Sequence, residues 1–203
     1  CEGIITSASL LVNAPCTEAA VELARSTPDL EVGLHWSLVE GHCLLERECS
    51  LTDCLRYLGE PICLHRHWKK FVLRHLTGRI RMDELAEELE LQAERFLTFF
   101  PSIPFANGTQ HMHLLPGISE LVASLSRKYS IGALRVPQRI VRTPGHNARA
   151  IVTRLMSWLG RRSVRALQGS AIQCTDAFAG FDMSGVVTAD RVLGLLEALP
   201  EGV

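Results

Sequence analysis

The stretch from Arg81 to Phe100 limits the fold more than any other part of this chain. Leu85, Leu89, Ala93, Phe96 and Phe100 recur at helical spacing and form one apolar stripe, while Glu84, Glu87, Glu88, Glu90 and Glu94 fill the remaining face. A helix with a single apolar stripe has to bury it against another layer. Pro101 stops the helix, and the chain returns at once as an apolar run, Ile103 to Leu114, that reads as a buried strand closed by Pro116-Gly117.

The same alternation runs along the sequence. Ile4 to Asn13 mixes β-branched and small residues over strand length and ends in the turn signal Asn13-Ala14-Pro15. Thr17 to Arg25 carries Ala20, Val21, Leu23 and Ala24 at helical spacing and stops before Pro28. Leu30 to Trp36 is a second strand. The residues from Ser37 to Thr77 show mixed charge and no clean period, so a long loop with short helical pieces is expected there. Beyond the opening helix and strand come a helix over Ile118 to Tyr129 and a short strand over Ile131 to Val136. Further helices follow over Ala148 to Arg161, with Ile151, Leu155 and Leu159 at fours, and over Ala189 to Leu199. Strand, helix, strand in this order predicts an α/β protein with a parallel sheet.

Polar groups fall at one end of that sheet. His35, His111, His113 and Arg135 all lie near predicted strand C-termini, the edge where α/β sheets and barrels bind ligands. On an extended strand His111 and His113 share a face, with Met112 on the other, so they read as metal ligands or an acid/base pair; two half-buried, hydrogen-bonded histidines are the plainer alternative. Arg135 reads as a contact for a sugar hydroxyl or a carboxylate, or as a structural ion-pair partner. Asn13 reads as a rim contact or as a turn residue.

Composition bounds the partners. The net charge is −1 with 21% charged residues, so no electrostatic feature argues for nucleic acid. The basic run His65-Arg66-His67-Trp68-Lys69-Lys70 reads as a solvated helix face. No apolar run reaches the roughly 18 residues of a membrane span, and the first residues lack the basic-then-apolar order of a signal peptide, so neither a span nor secretion is expected. The seven cysteines form no closely spaced pair; scattered reduced thiols point to the cytoplasm, and the irregular spacing from Cys43 to Cys63 argues against a zinc knuckle with His42, His65 and His67. The chain opens on Cys1 rather than Met and enters an apolar run directly, as expected of a piece of a longer polypeptide.

Several segments taken together resemble one family. Gly3 to Asn13 is similar to a "GxxTSxSLMVN" strand, and Val32-Gly33-Leu34-His35 with Glu40-Gly41 to a "GLHxxLxxG" motif. Glu88 to Phe96 followed by Gln110 to Pro116 resembles the pair "ExxAQxxxF" and "DxHxHxHxxP". Ala133 to Pro137 and Thr175 to Gly180 resemble weaker segments. These are motifs of the YdjC-like carbohydrate deacetylases, which include chitooligosaccharide and hopanoid-biosynthesis deacetylases, and the similarity follows the family's order over nearly the whole chain.

The resemblance implies a distorted or incomplete (β/α) barrel, a single domain over 1–203, that hydrolyses the N-acetyl group of an amino sugar. It implies a divalent cation, magnesium or zinc, held by one Asp and two His, which activates water and stabilises the tetrahedral oxyanion. It also implies a small carbohydrate substrate, and a homodimer is a further expectation. Residue by residue, His35 matches the first ligand histidine. Thr109 stands where the second ligand histidine is expected, so His111, about 7 Å further along an extended strand, becomes the candidate replacement. Asn107 stands at the family's aspartate, His113, Arg135 and Asn13 are candidate substrate contacts, and the Asp-Asp and His-Pro segments would lie before Cys1 and after Val203. A catalytically silent relative that keeps the cleft for sugar binding or scaffolding is the competing expectation, favoured by Thr109. A metallo-phosphoesterase is disfavoured, since no aspartate cluster or glycine-rich phosphate loop is visible.

Overall fold

A computed structural model describes residues 5–53, 62–141, 150–181 and 187–197. Cys1, Ile4, Cys54, Ala148 and the end of the last expected helix lie outside the described residues. The opening apolar run forms β1 (Ser7–Leu10), followed by α1 (Thr17–Arg25) and β2 (Glu31–Trp36). Then come α2 (Trp68–Leu76), α3 (Met82–Phe99), β3 (Phe105–Gly108), α4 (Ile118–Lys128), β4 (Ala133–Leu134), β5 (Ile140–Val141), α5 (Ala150–Ala166), β6 (Gln173–Cys174), β7 (Phe178–Ala179) and α6 (Ala189–Glu197).

Strands β1-β2-β3-β4-β6 pair in that order, all parallel, and β5 pairs parallel with β7. The order never reverses, which is how strands follow one another around a (β/α) barrel wall; a doubly wound sheet would reverse direction at a switch point. The five strands of the larger sheet therefore deliver their C-terminal ends to the same rim. The expected parallel α/β architecture is the one observed.

The apolar stripe of α3 packs as its spacing predicts. Leu85, Leu89, Ala93 and Phe96 are buried, and Phe96 stacks on Phe100 at 5.0 Å between ring centroids. Each of the large side chains contributes about 1.5–3 kcal/mol by leaving water. The Trp36 indole N–H donates to the Leu89 carbonyl at 3.1 Å, tying α3 to β2.

Three expectations are corrected. The run Ile103–Leu114 is not one strand: β3 ends at Gly108, and Thr109–Leu114 coils into a tight 3-10-like turn. Glu88 does not lie on the solvent face of α3 but is fully buried. In the basic run, Arg66, His67 and Lys69 face solvent, but His65 is buried, with Nδ1 at 2.6 Å from Asp53 and Nε2 at 3.0 Å from the Ser50 carbonyl. Asp53 also accepts from Lys70 and from the Arg66 backbone N–H at 3.0 Å. Burial raises its pKa, but these donors outweigh that and hold it at about 2.

In the described part of the Ser37–Thr77 segment, Leu38, Val39, Cys43, Leu45, Leu51, Ile62 and Leu64 are all buried. On α5, Leu159 is buried, whereas Ile151 and Leu155 are exposed.

Candidate functional site

The parallel register fixes the centre of the site. His35 on β2 lies beside Asn107 on β3, and Arg135 follows β4 directly, with its backbone N–H bonded to the Ala106 carbonyl at 3.0 Å. Ser9 on β1 completes the row, so four neighbouring strands deliver one polar side chain each.

Their hydrogen bonds have a definite direction. A guanidinium has donors and no acceptor, so the Asn107 amide must turn its oxygen toward Arg135. In that orientation the oxygen accepts from the two Arg135 Nη atoms at 2.8 and 3.3 Å and from Ser9 Oγ at 3.1 Å, while the amide nitrogen donates to His35 Nδ1. His35 Nδ1 therefore carries the lone pair and Nε2 the proton. Nε2 faces the Thr109 hydroxyl at 3.3 Å, and that hydroxyl faces the Trp36 carbonyl at 3.3 Å. Burial lowers the His35 pKa, and the nearby Arg135 charge lowers it further.

The turn after β3 places the other two histidines. Gln110 and His111 adopt left-handed backbone, φ 49° and 60°, where a residue with a side chain costs roughly 1–2 kcal/mol. Strain of this kind persists only where surrounding packing holds it, and it is a common mark of ligand sites. Because the chain coils, His111 and His113 do not alternate along a strand face. The His111 ring meets Phe178 edge to face at 4.9 Å and lies 6.0 Å from the His113 ring. His113 is 1% exposed and its Nε2 donates to the Arg135 carbonyl at 3.0 Å. Gly108 permits this approach, since a Cβ there would sit 2.7 Å from His113 Nδ1.

Burial pushes the His111 pKa down to about 4, with the charges of Arg135 and His35 adding to it, and the His113 pKa to about 3. The Nδ1 atoms of both rings are buried without a hydrogen-bond partner. Burial also lowers the Arg135 pKa, and among the described residues no carboxylate pairs with it. Among the described residues, the centre is thus a guanidinium without a carboxylate partner beside neutral imidazoles.

Asn13 has a different task. Its amide donates to the His42 carbonyl at 2.8 Å and its backbone carbonyl accepts from the His42 N–H at 2.9 Å, clamping the left-handed turn at Glu40-Gly41. Ser9 and the Thr175 hydroxyl, which bonds both the N–H and the carbonyl of Val136 at 3.0 Å, belong to the site but were not singled out by residue type. Both sit inside segments that match the family motifs.

A profile of the family described as YdjC-like protein matches residues 1–203. The chain belongs to the YdjC-like family. Among curated relatives, this YdjC-like chain is 32% identical to a carbohydrate deacetylase of Mus musculus and 31% identical to one of Homo sapiens, over 98% of its own length in each case. It is 30% identical to a chitooligosaccharide deacetylase of Klebsiella pneumoniae over 73% of its length. It spans 66%, 62% and 54% of those three proteins, so under two thirds of each. A solved structure from Enterococcus faecalis, described as a cellobiose-phosphate cleavage protein, shares the fold with a TM-score of 0.63 at 19% identity, covering 96% of this chain and 65% of that one.

The residues of this YdjC-like chain do not fit the cation that its motifs imply. Among the described residues, no group of three or more His, Cys, Asp or Glu side chains is placed to hold a metal ion. His35 presents an N–H, not a lone pair, toward Thr109, and His113 has spent Nε2 on backbone. His111, the candidate replacement for the ligand at 109, packs its ring on Phe178 within a coiled turn.

Proposed function

We propose that this protein acts on carbohydrate and that its reaction is that of the deacetylases it is similar to, hydrolysis of the N-acetyl group of an amino sugar. The similarity to two proteins named carbohydrate deacetylase over 98% of the chain is what carries this reading. The rim supports it chemically. Arg135 is a half-buried donor with no carboxylate partner among the described residues, suited to an acetamide carbonyl or to sugar hydroxyls, and the Phe178 and His111 rings offer apolar faces for a pyranose. Metal-activated water belongs to the family expectation; since the described donors do not fit a cation, no step is assigned to one.

A second reading, a catalytically silent relative that keeps the cleft as a sugar-binding or scaffolding module, is favoured by one specific observation. None of the groups joined to His35, Asn107 and Arg135 is a carboxylate, so the described cluster holds no general base of the usual kind.

The test is incubation of the protein with N-acetylglucosamine oligomers, measuring acetate release and binding in parallel. Acetate release supports the deacetylase reading, and binding without release supports the silent one. Neither binding nor release sinks both.

A further inference from the structure

We propose that Arg135 holds this centre in a metal-free form, acting through Asn107 on the protonation of His35. The guanidinium fixes the amide oxygen at 2.8 Å, the amide nitrogen then faces His35 Nδ1, and the ring proton is left on Nε2. Nε2 is the nitrogen that faces the Thr109 hydroxyl, 3.3 Å away. A cation there would need a lone pair on that nitrogen, with the other N–H given to an acceptor. In this chain the nearest atom facing Nδ1, the Asn107 amide nitrogen, is a donor, with the Ser9 hydroxyl farther off at 3.4 Å, so the imidazole is turned the wrong way in protons while being correctly placed in space.

The neighbouring groups reinforce this. Thr109 offers a neutral hydroxyl already directed at the Trp36 carbonyl. His113 cannot turn toward Thr109 without losing the Arg135 carbonyl at 3.0 Å, and its other nitrogen is closed off by Gly108. The Arg135 charge, which has no paired carboxylate among the described residues, would repel a second cation across the same few side chains. Arg135 is therefore a positioning residue for His35, and its charge takes the place that a bound cation would otherwise occupy. A purely structural role would not set which ring nitrogen carries the proton.

The experiment is long-range proton-nitrogen NMR of the histidine rings in the full natural polypeptide, together with zinc titration by calorimetry. In the wild type His35 is expected as the Nε2–H form, and no zinc equivalent is expected that depends on His35. Asn107→Asp, whose two oxygens accept from both Arg135 and the ring, is expected to move the proton to Nδ1. Adding Thr109→His to it is expected to raise zinc affinity at least 10-fold. Arg135→Gln is expected to leave His35 as a mixture of the two forms.

A wild-type His35 read as Nδ1–H or as a mixture overturns the proposal. So does one equivalent of zinc that is lost in His35→Ala. The wild-type spectrum and titration decide it even where a variant does not fold. Neither readout depends on acetate release, so failure here leaves the functional reading standing, and the reverse holds too.

Discussion

Two polar clusters lie on opposite sides of β2, and they are built on opposite rules. Behind the sheet, Glu88 and Gln92 of α3 are fully buried and their hydrogen bonds are used up. One Glu88 oxygen accepts from the Leu44 and Leu45 N–H groups at 2.8 and 3.1 Å and from the Cys43 thiol at 3.4 Å, and the other accepts from Gln92 at 2.8 Å. Gln92 in turn bonds both the N–H and the carbonyl of Ser37 at 2.8 and 2.9 Å. Burial raises the Glu88 pKa while these donors oppose it. At the rim, by contrast, two imidazole nitrogens are orphaned, a guanidinium has no carboxylate partner among the described residues, and two residues hold left-handed backbone. A satisfied buried cluster fastens a loop to a helix; the cluster at the strand ends keeps polar groups without partners among the described residues.

The largest effect that separates the two is expected at Glu88. Glu88→Ala strands two backbone donors and the Gln92 amide, so a loss of about 3–5 kcal/mol is expected in urea unfolding. A loss under about 1 kcal/mol would erase the contrast. Next comes the response to acid. His111 and His113 are neutral in the fold and titrate at about 4 and about 3, below the ordinary value near 6.5. The unfolded chain therefore binds protons first, and stability falls as pH drops from about 6.5 toward 4. Thermal unfolding across that range should show the fall, and His111→Asn should flatten it. The Asp53 contribution is separable, being lost only as pH falls from about 4 to 2.

A smaller and opposite change is expected from Gln110→Gly, which relieves left-handed strain. A gain of up to about 1 kcal/mol is the expected result, measured by denaturant midpoint, and a loss would mean that the exposed Gln110 side chain makes a contact that outweighs the strain. The smallest stability change is expected at Arg135→Met, within about 1 kcal/mol, because a half-buried charge with no carboxylate partner among the described residues contributes little to the fold. The same variant should weaken binding of N-acetylglucosamine oligomers about 10-fold, measured by calorimetry. A large stability loss with unchanged binding would move Arg135 to the architectural side.

Much of this was legible in the residues. Pro101, Pro116 and Pro137 follow α3, the His111–His113 turn and β4, and the α3 stripe packs where its spacing places it. His35 and Arg135 were placed at strand ends, and the structure joins them through Asn107. The Thr109–Leu114 turn was not legible, because alternation presumes extended backbone and neither Gln110 nor His111 is a residue type that favours left-handed φ. Glu88 was not legible from periodicity either. It is next to Leu89 on the edge of the stripe, and only its spacing from Gln92, four residues on, hinted that the two side chains meet.

His35 and Trp36 are consecutive on β2, one serving the rim and the other bonded to α3. Adjacent positions on a strand face opposite ways, so substitutions among the rim groups need not disturb the packing behind them. In evolutionary terms such a strand separates inheritance from invention: a lineage can rewrite positions 107 and 109, and with them what the rim holds, while the scaffold passes on unaltered.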